Sequence, residues 1–443
     1  MIRKIISRVV RLGNNKHPKE AKAAVIAPSS HGITAAAISP GARRVCEQLQ
    51  AHGHAAFVVG GAVRDLLMGI APKDFDVATD ATPDETRRIL KRSRIVGRRF
   101  QIVHAYAGKE IIEVTTFRGQ DDNARTDEFG RVLRDNVFGS QAEDAARRDF
   151  TINALYFDPA TGHIHDYHHG VADLQQKTLR MIGDPKVRYR EDPVRMLRAV
   201  RLSAKLGLSI DPEARKPIRE MGQLLENVPP ARLFDEIVKL LMSGHSLACL
   251  RALRAEGLHK GILPLLDRIA EDDTAFSLTQ LALSETDARI RDGRRASPHF
   301  MFAAIFWGEV VRHWEAFKAQ GEHETPALHL AMNAVLDAQS EALALTRRVA
   351  GDIKDIWLLQ PRFAQRAGKR PYALLEQAAF RAAWDFLKLR ARSGNADPEL
   401  VEWWNAFLDA DGPTRQEMLL PAQTATKKRR RRKKKPATEV VEA

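Results

Sequence analysis

The chain has 443 residues, enough for two or three domains with a substantial buried core. Its composition, 44% hydrophobic and 28% charged, is ordinary for a globular protein, and no apolar run approaches the length of a membrane span. Two cysteines exclude a disulfide framework and favour a reducing compartment, so we predict a cytoplasmic protein. The net charge of +14 is unusual, and nine consecutive basic residues, Lys427–Lys435, supply most of it. Such a run is typical of a polyanion-binding tail, with nucleic acid favoured over an anionic membrane surface.

The order of elements along the chain predicts an α+β protein. Residues 1–40 lack sustained periodicity and contain three prolines, so we expect a disordered leader. Residues 41–182 mix helical segments with short strand-like runs such as Phe57–Val59 and Glu110–Phe117, which indicates a small head with a mixed sheet. From residue 183 the periodicity is helical, and we divide the remainder into a neck (183–245), a helical body (246–411) and a disordered basic tail (412–443).

The most informative stretch is Gly60–Asp76. An apolar strand leads into the Gly60–Gly61 turn, and a short helical piece carrying Arg64 follows. Glycines let a backbone approach a ligand closely. A second short strand is predicted to carry Asp74 and Asp76, whose carboxylates would share one face because alternate residues of a strand do. Alone, such a pair is more often a solvated strand edge, but beside a glycine turn it indicates metal-assisted phosphoryl transfer. The predicted cofactor is Mg²⁺ at a two-metal site, with Mn²⁺ as the alternative.

A pair of metal ions usually requires a third carboxylate. Two acids could supply it, Asp149 in the sequence RRD and Glu113 on the predicted strand EIIEV, and spacing alone does not choose between them. Arg148 and Asn153 flank Asp149, and they could offer a guanidinium and an amide to a triphosphate.

A second constellation begins at Asp192. Pro193 suits the first turn of a helix, and Asp192 is the expected N-cap. Three arginines recur along this helix at every third position: Arg195, Arg198 and Arg201. Because no acid is interleaved from Arg195 to Leu208, we favour a basic stripe that faces a nucleotide or an RNA strand over a solvated helix face.

Five stretches between Val58 and Gly207 together resemble the bacterial class II nucleotidyltransferases, the family of the CCA-adding tRNA enzymes and the bacterial poly(A) polymerases: VVGGAVRDLLMG, KDFDVATDATP, EVTTFR, RRDFTINAL and REDPVRMLRAVRLSAKLG. The run Ile95–His104, the helical segments PPARLFDEIVKLL and FMFAAIFW, and the basic tail are similar to the poly(A) polymerase branch.

The resemblance implies a role for each matching residue. Asp74 and Asp76 correspond to the metal-binding catalytic acids, and Asp149 corresponds to the third active-site carboxylate. The residues that would contact the triphosphate are Gly60, Gly61 and Arg64. Asp192 and Arg195 match an EDxxR element that reads the base of the incoming nucleotide. The resemblance also implies a link to RNA-decay proteins, whereas no oligomeric state is predicted.

The base-reading pair can be tested against chemistry. A carboxylate accepts a hydrogen bond and a guanidinium donates one. Adenine and cytosine each present an amine beside a ring acceptor, whereas uracil and guanine reverse that order. Asp192 with Arg195 would therefore admit ATP and CTP and reject UTP and GTP.

The sequence as a whole predicts a template-independent enzyme that adds AMP from ATP to RNA 3′ ends. The first alternative is a CCA-adding tRNA enzyme, which has less need of a non-specific basic tail. The second alternative is a non-catalytic RNA-binding protein with an inactive transferase head, against which the intact carboxylates argue.

Overall fold

The computed structural model describes residues 22–97, 101–119, 137–258, 277–343 and 345–421. The predictions for residues 1–21 of the leader and for the basic run Lys427–Lys435 lie outside these ranges. The described chain forms two compact units. The first contains residues 22–258, 283–296, 338–343 and 345, and the second contains residues 277–282, 297–337 and 346–421.

The described strands of the first unit are β1 (Ala24–Ile26), β2 (Ala56–Val59), β3 (Asp76–Thr79), β4 (Ser93–Val96), β5 (Ile102–Ala107), β6 (Glu110–Thr116), β7 (Leu155–Phe157), β8 (Ile164–Asp166), β9 (Thr178–Leu179) and β10 (Ser209–Ile210). Eight of them form one sheet in the order β1-β8-β7-β2-β3-β6-β5-β4. The β3–β6 pair is parallel and the other pairs of this sheet are antiparallel, while β9 and β10 form a separate parallel pair. The predicted mixed sheet is confirmed.

The described helices of the first unit up to residue 258 are α1 (Pro28–His31), α2 (Pro40–Ala51), α3 (Gly61–Leu67), α4 (Pro83–Ile89), α5 (Gln141–Ala146), α6 (Gly170–Gln175), α7 (Pro185–Glu191), α8 (Val194–Leu206), α9 (Pro212–Met221), α10 (Pro230–Leu241) and α11 (Ser246–Ala255). Short 3₁₀ turns lie at Ala35–Ala37, Thr151–Asn153 and Gly222–Asn227.

Local sequence explains where α2 and α4, two of the head helices, begin. The Ser39 hydroxyl accepts the Ala42 amide and Pro40 occupies the first turn of α2. Thr82 and Glu85 form a capping box at the start of α4. The buried positions of α2 fall on one stripe, which packs against the sheet.

The sheet divides two apolar clusters. Val58, Val77 and Val114 point to the face covered by α2 and α4, where they join the larger cluster. Ala78 and Tyr156 belong to a smaller cluster on the opposite face. Strand β2 is buried along its whole length because both of its faces are covered, which is why it reads as an unbroken apolar run.

The prediction of a disordered leader through residue 40 is wrong for its described part. Strand β1 pairs with β8 at the edge of the sheet, in the register Val25 to His165. Ile33 and Ile38 are buried in the larger cluster. Residues 24–40 therefore belong to the head, because they close a sheet edge and cover apolar surface.

The described helices after residue 276 are α12 (Leu278–Arg291), α13 (Pro298–Ala319), α14 (Glu324–Leu343), α15 (Arg347–Leu359), α16 (Arg370–Leu375), α17 (Phe380–Arg392), α18 (Pro398–Asp409) and α19 (Gly412–Glu417), with a 3₁₀ turn at Pro361–Ala364. A buried cluster rich in aromatic residues lies in the second unit. Within this cluster, Trp404 Nε1 donates to Phe363 O at 2.9 Å. No described helix is both long enough and apolar enough to cross a membrane.

The prediction that a disordered tail begins at residue 412 is wrong. Asp411 caps α19, and Met418 and Leu419 pack against the aromatic cluster. The Leu420 amide donates to Arg366 O at 3.0 Å, so ordered packing extends at least to this residue. The predicted α+β class is nevertheless confirmed: a mixed-sheet head precedes a helical remainder.

Candidate active site

A cavity of about 580 Å³ in the first unit brings together the sequence segments singled out above. Eleven of the twelve predicted site residues line it, and Asp74 is the exception. The described lining contains eight cationic side chains: Arg64, Arg148, Arg195, Arg198, Arg201, Lys205, Arg232 and Lys239. It contains five carboxylates: Asp76, Asp149, Asp192, Asp235 and Glu236. The surplus of positive charge suits a polyanionic ligand.

The turn between β2 and α3 lies against the cavity. Gly60 has a φ of +73°, and a Cβ at this position would lie 3.3 Å from Arg148 Nη1 and 3.5 Å from Asn153 O. Glycine is needed here for both its backbone conformation and its lack of a side chain. Arg64 is buried, and its guanidinium donates to Asp65 Oδ1 at 2.6 and 2.8 Å and to Asn153 Oδ1 at 2.7 Å. Arg64 therefore holds Asn153 at the wall of the cavity.

The acidic end of the site is at the start of β3. The strand begins at Asp76, so Asp74 precedes it and the prediction that both acids lie on the strand is wrong. Asp76 is the register partner of Glu113 on β6, and side chains of register partners lie on the same face of a sheet. Although Asp76 as a residue is exposed, partial burial of its carboxyl group, followed by the charge of Glu113, raises its pKa to about 6. Crowded carboxylates of this kind are what a cation neutralises.

Asp149 has a different environment from Asp76. Its Oδ2 accepts from Arg198 Nε at 2.8 Å and Nη2 at 2.6 Å, and its Oδ1 accepts from Asn153 Nδ2 at 3.0 Å and the Phe150 amide at 2.8 Å. Burial alone would raise the pKa of Asp149, but the charge of Arg198 and these hydrogen bonds lower it to about 2. Asp149 is thus already neutralised by a guanidinium, whereas Glu113 lies beside Asp76.

Arg148 is fixed by the helix that precedes it. Its Nη2 donates to Asp144 Oδ2 at 3.0 Å and its Nε donates to Tyr156 OH at 3.1 Å, while Tyr156 OH donates to Asp144 Oδ2 at 2.6 Å. Its Nη1 donates to Asn153 O at 3.3 Å. This bonding holds the guanidinium of Arg148 beside the Gly60 turn.

Asp192 lies between α7 and α8, Arg195 lies in the first turn of α8, and both line the cavity. Asp192 is not the N-cap of α8, because its carboxylate accepts Arg232 Nη2 at 2.8 Å instead of a backbone amide. Its other oxygen, Oδ1, is buried and has no hydrogen-bond partner among the described residues. Arg195 Nη1 donates to Glu191 Oε2 and to Arg188 O, each at 2.9 Å. The Asp192 residue therefore lines the cavity and carries one buried acceptor that is left without a hydrogen bond among the described residues.

The predicted arginine stripe does line the cavity, but all three of its members pair with carboxylates, Arg195 with Glu191 as described above. Arg198 binds Asp149, and its Nη1 also lies 3.5 Å from Glu236 Oε1. Arg201 Nη2 donates to Glu236 Oε2 at 3.2 Å. Glu236 is buried and also accepts from Lys239 at 2.9 Å. The stripe is therefore largely neutralised within the protein.

Comparisons with known proteins match this architecture along most of the chain. Three family models match: "Poly A polymerase head domain" at residues 56–180, "Probable RNA and SrmB- binding site of polymerase A" at residues 207–269, and "Polymerase A arginine-rich C-terminus" at residues 320–436. Poly(A) polymerase I of Salmonella typhi is 43% identical over 408 residues, which cover 89% of this chain and 88% of that protein. Poly(A) polymerase I of Haemophilus influenzae is also 43% identical, over 90% of this chain and 91% of that protein.

The chain belongs to the poly(A) polymerase family of nucleotidyltransferases.

CCA-adding enzymes are more distant relatives. The enzyme of Streptococcus pneumoniae serotype 19F is 33% identical over 279 residues, which cover 62% of this chain and 65% of that protein. The crystal structure of the Bacillus stearothermophilus CCA-adding enzyme in complex with CTP superposes with a TM-score of 0.56 at 26% identity, over 82% of this chain and 81% of that one. The fold is thus shared between the two kinds of enzyme.

Sequence reasoning missed five charged residues of the cavity lining: Lys205, Arg232, Asp235, Glu236 and Lys239. Among the described residues, no carboxylate lies within ion-pair distance of Lys205, although the side chain lines the cavity. Burial lowers the pKa of Lys205, and the charges of Arg64 and Arg201 act in the same direction. Lys205 continues the row of α8, one helical turn beyond Arg201, which is the signal that could have found it. Arg232 and Glu236 had only their own helical spacing on α10 as a signal.

Proposed function

We propose that this protein is a template-independent poly(A) polymerase, which transfers AMP from ATP to the 3′ ends of RNA and releases pyrophosphate. The observation that carries the proposal is the cavity itself, where an acidic end, a cationic wall and an unsatisfied acceptor meet in a member of the poly(A) polymerase family. These are the three things needed to activate a hydroxyl, bind a triphosphate and select a base.

Asp74 and Asp76 would hold the divalent metal. Within the described residues no three carboxylate, imidazole or thiolate groups converge to hold an ion by themselves. This arrangement fits Mg²⁺, which is usually bound by one or two carboxylates together with substrate phosphates and water. Burial and then the charge of Glu113 raise the pKa of Asp76, and a bound cation would favour its ionised form. When bound, the metal would lower the pKa of the attacking hydroxyl and neutralise the leaving pyrophosphate. Mn²⁺ is the alternative ion.

The surroundings of Asp149 and Glu113 bear on which of them is the third carboxylate. Glu113 on β6 is the register partner of Asp76 on β3 and helps to raise the pKa of Asp76. The carboxylate of Asp149 instead accepts hydrogen bonds from Arg198 and Asn153. We therefore assign Glu113 to the acidic end. Asp149 keeps its predicted place in the site but acts by orienting Arg198 and Asn153.

The triphosphate would lie against the Gly60–Gly61 turn and the nearby cations. Gly60 permits the close approach, and Arg148 presents a fixed guanidinium beside the turn. Lys205 adds a charge that forms no ion pair with a carboxylate among the described residues. Arg198 and Arg201 contribute mainly through the network with Asp149 and Glu236.

The base would be read by Asp192 and Arg195. The unpaired Oδ1 of Asp192 can accept the exocyclic amine of adenine, and Arg195 can donate to the adjacent ring nitrogen. Cytosine offers the same pattern, so this pair does not separate ATP from CTP. Similarity favours poly(A) addition over the CCA alternative, since it reaches 43% over 89% of the chain against 33% over 62%.

Several finer assignments complete the proposal. The head would comprise residues 22–182, the neck 183–245 and the body 246–421, with the basic tail beyond residue 421. RNA would bind the helical part through its phosphates, and the tail would add salt-dependent affinity. Cys46 and Cys249 are buried free thiols, which agrees with a cytoplasmic setting. RNA-decay proteins would be partners.

The decisive experiment offers the full chain an unstructured RNA primer and each nucleoside triphosphate separately with Mg²⁺. A long ladder with ATP alone is expected. Asp76→Asn should abolish incorporation while RNA binding stays near wild type, and near-normal activity of this variant would contradict the metal assignment. Extension confined to tRNA lacking its 3′ end, with both CTP and ATP required, would instead establish the CCA-adding alternative.

A further inference from the structure

Among the described residues, no helix or strand covers one face of the sheet beyond the cavity, across β6, β5 and β4. Burial alternates along β6: Ile112 and Val114 are buried beneath the helices, whereas Ile111 and Glu113 are exposed on the other side. Strand β5 alternates in the same way, with Tyr106 exposed. The open side is the one onto which Asp76 projects, because Asp76 and Glu113 are register partners.

The strand register places four polar side chains in one row across this face. Asp76 on β3 is opposite Glu113 on β6, Glu113 is opposite His104 on β5, and His104 is opposite Arg94 on β4. His104 Nε2 lies 3.7 Å from Glu113 Oε1. Arg94 is exposed, and no carboxylate pairs with it among the described residues. The row thus runs from the acidic end of the site to a free cation at the sheet edge, three strand spacings or about 14 Å away.

An apolar pair lies immediately beside this row. Tyr106 and Ile111 are register partners and are among the most exposed large apolar residues of the described chain, with 39% and 56% of their surface accessible. They lie two residues from His104 and Glu113 on the same face, a step of about 7 Å. An exposed tyrosine ring next to an aliphatic side chain is a surface on which a nucleic-acid base can stack.

The geometry of phosphoryl transfer decides what should lie there. The attacking and leaving oxygens are roughly in line on opposite sides of the α-phosphate. The Gly60–Gly61 turn follows β2, which neighbours β3 on one side, whereas β6, β5 and β4 lie on the other side. If the triphosphate lies at the glycine turn, the attacking hydroxyl must come from the side of the open face.

We propose that Arg94, His104, Tyr106 and Ile111 form a platform for the last nucleotides of the RNA primer, with a base stacked on Tyr106 and a phosphate near Arg94. The occupant is single-stranded RNA because stacking surface and positive charge occur together and continue directly into the carboxylates that activate its hydroxyl. This inference rests on the proposed function of the cavity. It adds a primer site that is separate from the nucleotide site.

The test begins with steady-state kinetics on a short unstructured RNA, using the full chain. Tyr106→Ala should raise the KM for RNA about tenfold, equivalent to ~1.4 kcal/mol, and leave the KM for ATP within about twofold. Tyr106→Phe should stay near wild type because it retains the ring. Val25→Ala is the matched control, since Val25 is an even more exposed apolar residue, 59% accessible against 39% for Tyr106, on the far edge of the same sheet.

A second measurement does not depend on a variant that folds. An RNA carrying 5-iodouridine at its 3′ end is photocrosslinked to the wild-type chain with a non-hydrolysable ATP analogue present, and the crosslinked peptide is identified by mass spectrometry. A crosslink within residues 101–113 supports the platform. A crosslink elsewhere, or an RNA KM that Tyr106→Ala leaves unchanged, overturns it. Failure of the wild type to add AMP to any RNA would refute the proposed function instead, and the crosslink would still report where RNA lies.

Discussion

The unpaired oxygen of Asp192 leads to a specific prediction about base choice. Arg232 donates to Asp192 Oδ2 at 2.8 Å, while Oδ1 lies buried at the cavity wall without a partner among the described residues. In Asp192→Asn, the amide must turn its oxygen toward the Arg232 donor, because a facing NH₂ group could not accept. The NH₂ group then occupies the position of Oδ1. An acceptor at the base edge becomes a donor.

The expected magnitude follows from the hydrogen bond that is lost. An acceptor that carries charge contributes about 2 kcal/mol to such a bond, so kcat/KM for ATP should fall roughly thirtyfold. UTP and GTP present an oxygen where ATP presents an amine, so their relative use should rise. The ratio of ATP to UTP incorporation is therefore more informative than either rate.

Primer extension with each nucleotide separately measures this ratio. Asp235→Asn is the matched control, since the same isosteric change is made on another carboxylate that lines the cavity. Its nucleotide preference should match that of wild type. The reasoning would be refuted by an Asp192→Asn enzyme that uses ATP within about threefold of wild type. A uniform loss for all four nucleotides would also refute it, because that outcome indicates a structural role.

Three further predictions concern charge. Lys205→Met should raise the KM for ATP at least tenfold with little change in the KM for RNA, since it removes a cavity cation that forms no ion pair with a described carboxylate; equal changes in both constants would contradict this. Asp149 has a folded pKa of about 2, below its unfolded value, so it stabilises the protein above about pH 4 and this stabilisation is lost as pH falls toward 2. Asp149→Asn should therefore lower the free energy of unfolding by about 2 kcal/mol at pH 7 and by progressively less in acid, as measured by urea titration with far-UV circular dichroism. Deleting Lys427–Lys435 should make the salt dependence of RNA binding shallower by up to about 6 in logarithmic slope, and an unchanged slope would show that the tail does not bind RNA.

The motifs predicted most of the head because each combines a local signal with a chemical one. The Gly60–Gly61 turn and strand β6 are encoded within a few residues, and both form as expected. Strand β1 could not be found in this way. It has three residues and no period, and it exists because β8, far away in sequence, offers an open edge.

The arginines of α8 show a second limit of sequence reasoning. Helical spacing correctly places Arg198 and Arg201 on the face toward the cavity. It does not reveal which groups meet them there. Their partners, Asp149 and Glu236, lie 35 to 49 residues away along the chain and arrive only through tertiary packing. A run of cations without interleaved acids therefore predicts that the cations lie on one face of the helix. It does not predict that this face lacks carboxylate partners.

These partners make the site a single charged network. Contacts run from Arg64 to Asn153, from Asn153 to Asp149, from Asp149 to Arg198 and from there to Glu236. The chain of bonds ties the glycine turn of the head to helices α8 and α10, so a change at one member alters the position of the others. Loss of Arg198 would leave the Asp149 carboxylate buried without its cationic partner. The variant would therefore lose stability as well as the correct position of the residues that bind the nucleotide. Neither the amine of Lys205 nor the Oδ1 atom of Asp192 takes part in this network. Substitutions of these two residues therefore test contacts with the nucleotide.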